Sequence, residues 1–474
     1  MSRKLNSAIL KSVSGRLLTY VVQFGSLAIY ARLFSPEEFG VIASVQVFVI
    51  FFQMLADVGI GPAIINEDKF SDKQRDGVFS VTAILGCFLA LLFFLFSYAL
   101  NTFYGGYEYQ KIAVFVSVSI FFSSLNVVPM TAMNKDAKFM HIALVDIVAE
   151  CLSISVVCLL YLQGYGIIAL AARPMVQSIS RFIGVWVISN ETDLGRPILG
   201  KELHHIKSIL AFSSYQFGFN FINYFSRNLD NILIAKYFGM ASVGIYEKSY
   251  QLMRYPLMVT TFAMTPAIQP ILTKFRYNKE KVIGEHNRLT GRLLAISLPI
   301  SAFIYLNSNS IILILFGKQW LSIEVLIKVF VFMIPIQAVL STSGTFFQVM
   351  NKPRLLFVSG VISAIFNVIA IISGVILGEI KYVAFALVIS FSVNFIQAYF
   401  ILFKYCFIDS PKEFYLHQLK VLITFSGPIA LYWLVKVNLL DNYNNAISFD
   451  LLVNVLIGFF SIMIFLVPIK KVLS

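Results

Sequence analysis

The sequence predicts an all-α polytopic membrane protein with about 14 transmembrane helices. Fourteen apolar stretches fill most of the 474-residue chain, and each is near the roughly 20 residues that a helix needs to cross a bilayer. The composition agrees, since 58% of the residues are hydrophobic and 13% are charged, whereas charged residues make up about a quarter of a soluble domain. Strands are excluded from these stretches because unpaired backbone groups cannot face lipid.

Apolar runs bounded by charged and polar residues define the individual spans. The connectors between them are short, so a soluble catalytic domain has no room, and any function is predicted to lie inside the membrane. In chain order the spans are predicted near residues 12–34, 39–60, 77–100, 111–132, 141–162, 166–187, 209–235, 243–266, 291–313, 323–348, 355–377, 382–403, 417–436 and 449–469.

The distribution of positive charge predicts the orientation. With the N-terminus inside, 23 of the 37 Lys and Arg residues fall in cytoplasmic segments and 5 fall on the opposite side. Lys and Arg concentrate in the cytoplasmic loops of membrane proteins, so both termini are expected to be cytoplasmic. The net charge of +13 is explained by this bias, and a nucleic-acid partner is not predicted.

An internal duplication is visible at an offset of 204 residues. Residues 31–64 align with residues 235–268 without a gap, and glycine and proline match at the two ends of one helix. The matched positions include Ala31 and Ala235, Phe34 and Phe238, Gly40 and Gly244, and Pro62 and Pro266.

The duplication predicts the domain organisation. Six spans separate the two copies, so both copies point the same way across the membrane. We therefore predict an N-terminal six-helix lobe at residues 1–195, a second six-helix lobe at 196–405 and two additional helices at 406–474. Two lobes around a midplane cleft are typical of carriers that work by alternating access.

Polar side chains form one stripe on the first helix of each predicted lobe. Their spacing of three, four or seven residues places each set on a single helical face. A polar face toward lipid is costly, so both stripes are expected to line a hydrated cavity. Span 1 carries Arg16, Tyr20, Gln23 and Tyr30, and span 7 carries Gln216, Asn220, Asn223, Arg227 and Asn231.

Neighbouring spans add ionisable groups to the candidate cavity. Arg227 lies deep in span 7, and Asp230, three residues on, is placed to pair with it. Span 8 adds Glu247, Tyr250 and Arg254, and span 6 adds Arg173, Gln177 and Arg181. Two other interpretations stay open at this stage: arginines near span ends, such as Arg16, could snorkel to the interface, and amides could serve only in helix packing.

The residue types in these stripes favour an anionic cargo that carries sugars. The planar fork of arginine matches phosphate oxygens, and Asn, Gln and Tyr can bond sugar hydroxyls. We therefore assign Arg227, Arg173 and Arg254 to the phosphate oxygens of such a cargo and Asn220, Asn223 and Gln23 to its sugars. No cofactor, metal site or catalytic residue is predicted, since the four cysteines lack metal-site spacing.

Several motifs resemble the polysaccharide transporter family, the Wzx-type flippases of the multidrug/oligosaccharidyl-lipid/polysaccharide exporter superfamily. These motifs are ARLFSPEEFGVIA after span 1, SRNLDNILIAKYFG and VGIYEKSYQL across spans 7 and 8, and ILFGKQW after span 9. The stretch VVPMTAMNKDAKF is similar to the branch that contains the colanic acid exporter. Arg227 and Asp230 match an arginine and an aspartate that recur in the family.

The resemblance implies a flippase of the bacterial cytoplasmic (inner) membrane. Its substrate would be an undecaprenyl-diphosphate-linked oligosaccharide, moved to the periplasmic leaflet for O-antigen, capsule or exopolysaccharide biosynthesis. Its partners would be this lipid-linked oligosaccharide and membrane lipid. Whether H⁺ or Na⁺ acts as a coupling ion, and whether a polysaccharide polymerase and assembly proteins bind, stays open.

Two other functions are alternatives to the flippase. A cation-coupled multidrug or small-solute antiporter of the same superfamily would need cavity carboxylates, and Asp57, Asp146 and Glu150 are candidates. A membrane glycan polymerase or glycosyltransferase would need a sizeable outer loop for its acceptor. The predicted outer loops are short, and they carry no paired carboxylates or phosphate-binding loop.

Overall fold

The computed structural model is built from helices. It describes residues 3–57, 60–61, 64, 71–202, 224–258, 272–440, 447–465 and 467–469, and none of these residues forms a strand. The prediction of an all-α polytopic fold is thus confirmed. The chain divides into two compact units, Met1–Gly244 and Ile245–Ser474. Residues 196–244 belong to the first unit in this division, and residues 406–474 belong to the second.

Eight helices of the described chain lie within the first unit, and a ninth begins there. Their bounds are α1 (Arg3–Leu33), α2 (Pro36–Asp57), α3 (Asp72–Tyr104), α4 (Tyr109–Leu125), α5 (Val127–Lys135), α6 (Phe139–Leu162), α7 (Ile167–Ile188), α8 (residues 224–238) and α9 (Met240–Leu257).

The second unit continues from α9. Its bounds are α10 (Lys279–Leu306), α11 (Ser308–Leu315), α12 (Glu324–Phe330), α13 (Met333–Leu340), α14 (Ser343–Val349), α15 (Pro353–Ile376), α16 (Ile380–Ile401), α17 (Pro411–Val435) and α18 (Ile447–Ile464). Proline stands in the first turn of both α15 and α17, where the missing N–H breaks no helical bond.

Seven helices of the described residues are long and apolar enough to cross a membrane, or nine if two bent pairs count as one span each. The bent pairs are α4 with α5, at 42°, and Lys318–Phe330 with Met333–Val349, at 54°. The long helices α1 and α7 are outside this set. Arginine and amide side chains interrupt their apolar sequences, so the polar stripes lower the apolarity of these helices.

The hairpin of α6 and α7 positions the candidate site. Four residues connect the two helices, and among them Gly164 and Gly166 have φ of 85° and 51°. Side chains other than hydrogen are strained in that region of φ, so the two glycines permit the tight reversal. The reversal makes the helices antiparallel and brings residues near 146–150 opposite residues near 173–181.

Equivalent glycines of the two repeat copies contact each other inside the first unit. A Cβ atom at Gly40 would lie 1.7 Å from the carbonyl oxygen of Met240, and one at Gly244 would lie 1.9 Å from the carbonyl oxygen of Pro36. Positions 36 and 240 are themselves equivalent in the duplication. The N-termini of α2 and α9 therefore pack as an isologous pair, and neither glycine has space for a side chain.

A buried arginine fixes the segment that follows α7. Arg75 is 8% exposed, and its guanidinium contacts Asp72 at 3.0 Å and Asp76 at 2.8 Å. It also donates to the carbonyl oxygen of Leu194. Asp76 in turn accepts from the backbone N–H of Ile198 at 3.1 Å, so one charged cluster on α3 holds the segment of residues 193–202.

Replacing Arg75 with methionine is expected to release this segment. The Leu194 carbonyl would lose its donor, and leaving a buried polar group unpaired costs about 1–3 kcal/mol. We expect faster trypsin cleavage after Lys201 in detergent solution, measured by limited proteolysis and mass spectrometry; the bond after Arg196 is resistant because Pro197 follows it. The exposed neighbour Lys73 provides the control, because Lys73→Met should leave the cleavage rate unchanged. Equal rates for both variants and the parent would contradict this role of Arg75.

Hydrogen bonds attach the last two helices to the second unit. Gln418 of α17 donates to Thr290 of α10 at 3.1 Å. Farther along, Asn307 donates to the Tyr432 hydroxyl at 2.7 Å, and that hydroxyl lies 3.1 Å from Asn454 of α18. All five side chains are buried, so α17 is bonded to α10 at Thr290, and the Tyr432 hydroxyl links α18 to Asn307, the residue that follows α10.

Candidate functional site

Polar side chains from α1, α6 and α7 meet inside the first unit. Arg173 Nη2 lies 3.0 Å from Glu150 Oε1, and Gln177 donates to the other carboxylate oxygen. The Arg173 guanidinium lies 4.7 Å from the centre of the Tyr30 ring. The Tyr30 hydroxyl is 3.2 Å from Ser153 Oγ. We call these five residues the Arg173 cluster.

Helical spacing explains how the Arg173 cluster forms. Arg173 and Gln177 are four residues apart on α7, and Glu150 and Ser153 are three residues apart on α6, so each pair shares one face. A buried ion pair is stable only if its remaining polar atoms are bonded. Both oxygens of Glu150 are bonded, and the ring of Tyr30 adds a cation–π contact.

Burial within the cluster is unequal. The Glu150 side chain is 5% exposed, whereas the Arg173 side chain is 28% exposed. Arg173 Nε is buried and has no hydrogen-bond partner in the described part of the chain. The carboxylate is therefore covered, while part of the guanidinium stays accessible and keeps donors for a second anion.

A second ion pair lies one helical turn away. Arg181 Nε is 2.8 Å from Asp146 Oδ1, and Arg181 Nη2 is 3.4 Å from Asp146 Oδ2. The Arg181 side chain is 44% exposed and the Asp146 side chain is 24% exposed, so this pair is more exposed than the pair of Arg173 and Glu150. Two arginines thus face two carboxylates across the hairpin, and the formal charge of the two pairs is zero. Asp146 and Glu150, which the antiporter interpretation needs, are both paired with arginine.

Four residues of the Arg173 cluster are absent from the predicted set of substrate-binding residues: Glu150, Gln177, Tyr30 and Ser153. The sequence does contain a signal for Glu150: Asp146 and Glu150 are four residues apart on α6, and Arg173 and Arg181 are eight residues apart on α7. Whether these carboxylates and arginines pair depends on the register of the hairpin, which the sequence does not fix. Arg173 is predicted as a cation of the cavity, and the structure places it in an ion pair instead, because the tight turn sets Glu150 opposite it.

Arg227 and Asp230 of α8 differ in burial. The Arg227 side chain is exposed, and Asp230 is 6% exposed. Asp230 Oδ1 accepts from the backbone N–H of Asn231 at 2.8 Å. Within the described residues Arg227 forms no ion pair, so the predicted pairing with Asp230 is not observed. The reason is that Arg227 points outward from α8 while Asp230 is covered.

The candidate residues of α9 lie in the second unit. Arg254 is exposed, and Glu247 is half-buried. The Tyr250 ring stacks on Tyr246 with centroids 6.2 Å apart and meets the edge of Phe330 at 5.5 Å. Tyr250 is therefore part of an aromatic cluster, and Arg254 presents its charge on the surface of α9.

The remaining predicted site residues belong to α1 and to the segment before α8. Asn220 and Asn223 lie outside the described residues, as does the side chain of Arg16. Gln23 is half-buried on α1, and its carbonyl accepts from Ser26 at 2.8 Å. Among the predicted arginines, Arg173 is therefore the one that the structure places in a cluster of polar side chains.

Comparison with known families identifies the chain. Residues 29–325 match the family described as "Polysaccharide biosynthesis protein". This match covers more than half of the 474 residues. The chain belongs to this family. The match includes the Arg173 cluster together with α8 and α9, and it agrees with the resemblance found in the sequence motifs.

Two curated relatives of this family member are named as biosynthesis proteins. It is 21% identical over 387 residues to "Teichuronic acid biosynthesis protein TuaB" of Bacillus subtilis, covering 81% of this chain and 79% of the relative. It is 20% identical over 399 residues to "Lipopolysaccharide biosynthesis protein WzxC" of Escherichia coli, covering 82% and 79%. The expected similarity to Wzx-type proteins is thus confirmed.

Solved structures share the fold. The inward closed conformation of "Lipid II flippase MurJ" matches with a TM-score of 0.76 and 17% identity, over 96% of this chain and 98% of that one. An inward-facing multidrug resistance MATE transporter of the MOP superfamily matches with a TM-score of 0.61 and 13% identity, over 82% and 96%. The family member therefore has a MurJ/MATE-like fold, and its relatives point to membrane transport rather than to an enzyme.

Proposed function

We propose that the protein flips a polyprenyl-diphosphate-linked oligosaccharide from the cytoplasmic to the outer leaflet of a bacterial inner membrane, for the synthesis of a surface polysaccharide. One observation carries the proposal: a partly accessible guanidinium, Arg173, is held on a tyrosine ring inside an apolar helix bundle. An arginine inside the helix bundle of a membrane protein is costly and is typical of a substrate path. The similarity to polysaccharide biosynthesis proteins supports a lipid-linked glycan as the cargo.

Each group of candidate residues has a role in this proposal. Arg173, Arg227 and Arg254 would contact the diphosphate, because arginine binds phosphate oxygens through two parallel hydrogen bonds. Gln23, Asn220 and Asn223 would contact sugar hydroxyls, while Asp230, Glu247, Tyr250 and Arg16 would shape the path. The polyprenyl chain would stay in lipid. The two repeat-related lobes would alternate between access from either side.

The driving force would come at least in part from the membrane potential. An inside-negative potential favours outward movement of negative charge by about 2.3 kcal/mol per charge per 100 mV. With both termini in the cytoplasm, as the distribution of Lys and Arg indicates, the diphosphate would move down this potential. H⁺ or Na⁺ coupling and a polymerase partner would add to this scheme without changing the role of the arginines.

A reconstitution experiment tests the proposed function. Purified protein would be placed in vesicles that contain a polyprenyl diphosphate bearing one fluorescent sugar, and a membrane-impermeant quencher would report the leaflet. We expect transbilayer movement at least tenfold faster than in protein-free vesicles and faster still under an imposed potential of the favourable sign. A matched lipid without the diphosphate, a polyprenyl alcohol with the same sugar, should not move faster. Equal movement of both lipids would contradict the proposal.

A drug antiporter is less favoured by the site. Cationic drugs need accessible carboxylates, and Asp146 and Glu150 are engaged by Arg181 and Arg173. Asp57, the third candidate, is the last residue of α2 and accepts a hydrogen bond from the backbone of Gly61, with no arginine paired to it among the described residues. The similarity to the MATE structure, at 13% identity, concerns the fold alone.

A further inference from the structure

The ion pair between Glu150 and Arg173 competes with any anion that uses Arg173. Glu150 approaches the guanidinium at 3.0 Å and is 5% exposed, while Arg173 is 28% exposed. An incoming phosphate would therefore meet the open side of the guanidinium, with the carboxylate on the covered side. Two anions would share one cation, and their mutual repulsion would weaken the bond to Glu150.

Gln177 and Tyr30 make the exchange feasible. Gln177 donates to Oε2 of Glu150, so the carboxylate keeps a hydrogen bond when Arg173 moves. The guanidinium rests on the Tyr30 ring at 4.7 Å, a contact that allows sliding because it has no directional hydrogen bond. Arg173 Nε is buried without a partner among the described residues, so a shift of the guanidinium along the ring would expose one further donor to the phosphate.

We propose that Glu150 is a competing counter-ion that selects diphosphates over monophosphates at Arg173. The proposal rests on the proposed function, because it refines how the same arginine meets its substrate. A monophosphate offers less negative charge and fewer acceptor oxygens than a diphosphate does. Only the diphosphate draws Arg173 away from Glu150. Polyprenyl monophosphates and free phosphate are therefore rejected.

The decisive variant is Glu150→Gln. The amide oxygen still accepts from Arg173, but it carries no charge, so the guanidinium is released more readily. A hydrogen bond from Arg173 to a charged acceptor is stronger than one to a neutral acceptor, and this difference in free energy corresponds to roughly fivefold in substrate affinity. We expect the half-saturating concentration of the fluorescent diphosphate lipid to fall about fivefold, and the preference for inorganic pyrophosphate over inorganic phosphate, measured by calorimetry in detergent, to narrow.

Asp146→Asn provides the matched control. It makes the same chemical change in the neighbouring pair with Arg181, which is the more exposed of the two pairs, and it should leave the half-saturating concentration within about twofold of the parent. If Glu150→Gln does not fold, Glu150→Asp weakens the same pair by shortening the carboxylate arm. It should shift affinity in the same direction.

The outcomes separate this inference from the proposed function. A higher half-saturating concentration in Glu150→Gln would mean that Glu150 positions Arg173, and an unchanged one would mean a structural role alone. Either result would contradict the proposal that Glu150 selects diphosphates by competing for Arg173. If the parent protein moves no diphosphate lipid, the proposed function fails, while the calorimetric preference for pyrophosphate still tests the exchange at Arg173.

Discussion

Substituting alanine for Gly40 or Gly244 is expected to lower the free energy of unfolding by roughly 3 kcal/mol or more, because it overpacks a contact between two backbones. The new Cβ would sit 1.7 Å or 1.9 Å from a backbone carbonyl oxygen. A backbone atom cannot rotate away as a side chain can, so the N-termini of α2 and α9 must separate. Thermal unfolding in detergent would measure the loss.

The symmetry of the contact gives this prediction a second test. Either substitution alone forces the same two helices apart, so the double variant should cost clearly less than the sum of the two single variants. Gly25→Ala is the control, because a Cβ at Gly25 meets nothing within 4 Å. It should be neutral or stabilise the helix by up to about 1 kcal/mol. Additive costs, or a tolerated Gly40→Ala, would refute the isologous contact.

Loss of the Arg173 guanidinium is expected to have the largest effect on transport. Arg173→Ala removes the proposed phosphate ligand and also leaves Glu150 buried with only Gln177 as its partner. Breaking a buried ion pair in this way costs roughly 3–5 kcal/mol. The single variant is therefore expected to lose both stability and flipping, measured by thermal unfolding and by the vesicle assay.

A double variant separates these two effects. Arg173→Met with Glu150→Met removes both charges and fills a similar volume, and such replacements of buried pairs are often neutral in stability. We expect it to fold like the parent and to flip the diphosphate lipid at least tenfold more slowly, the loss that corresponds to about 1.4 kcal/mol. A well-folded double variant with the parent rate would show that Arg173 does not contact the substrate.

The bent helix pairs and the polar helices are the places where the structure differs from the spans predicted by apolar runs. Spans 4 and 10 are each one apolar run in the sequence, but the structure breaks them into helix pairs bent by 42° and 54°. Bends of this kind depend on packing against neighbours, which local apolarity does not record. Spans 1 and 6 form the helices α1 and α7, but their arginine and amide side chains leave both helices outside the set that is apolar enough to cross a membrane.

Apolar runs and helical spacing are local properties of the chain, and they suffice to predict the all-α membrane fold and the helices that carry arginine. The pairing of charges is not a local property. Glu150 meets Arg173, and Gly40 meets Gly244, across separations of 23 and 204 residues. These contacts follow from tertiary packing, since the angle of a hairpin and the approach of two backbones depend on how helices distant in sequence fit together. The same reason explains why Arg227, three residues from Asp230, is exposed and Arg173 is paired.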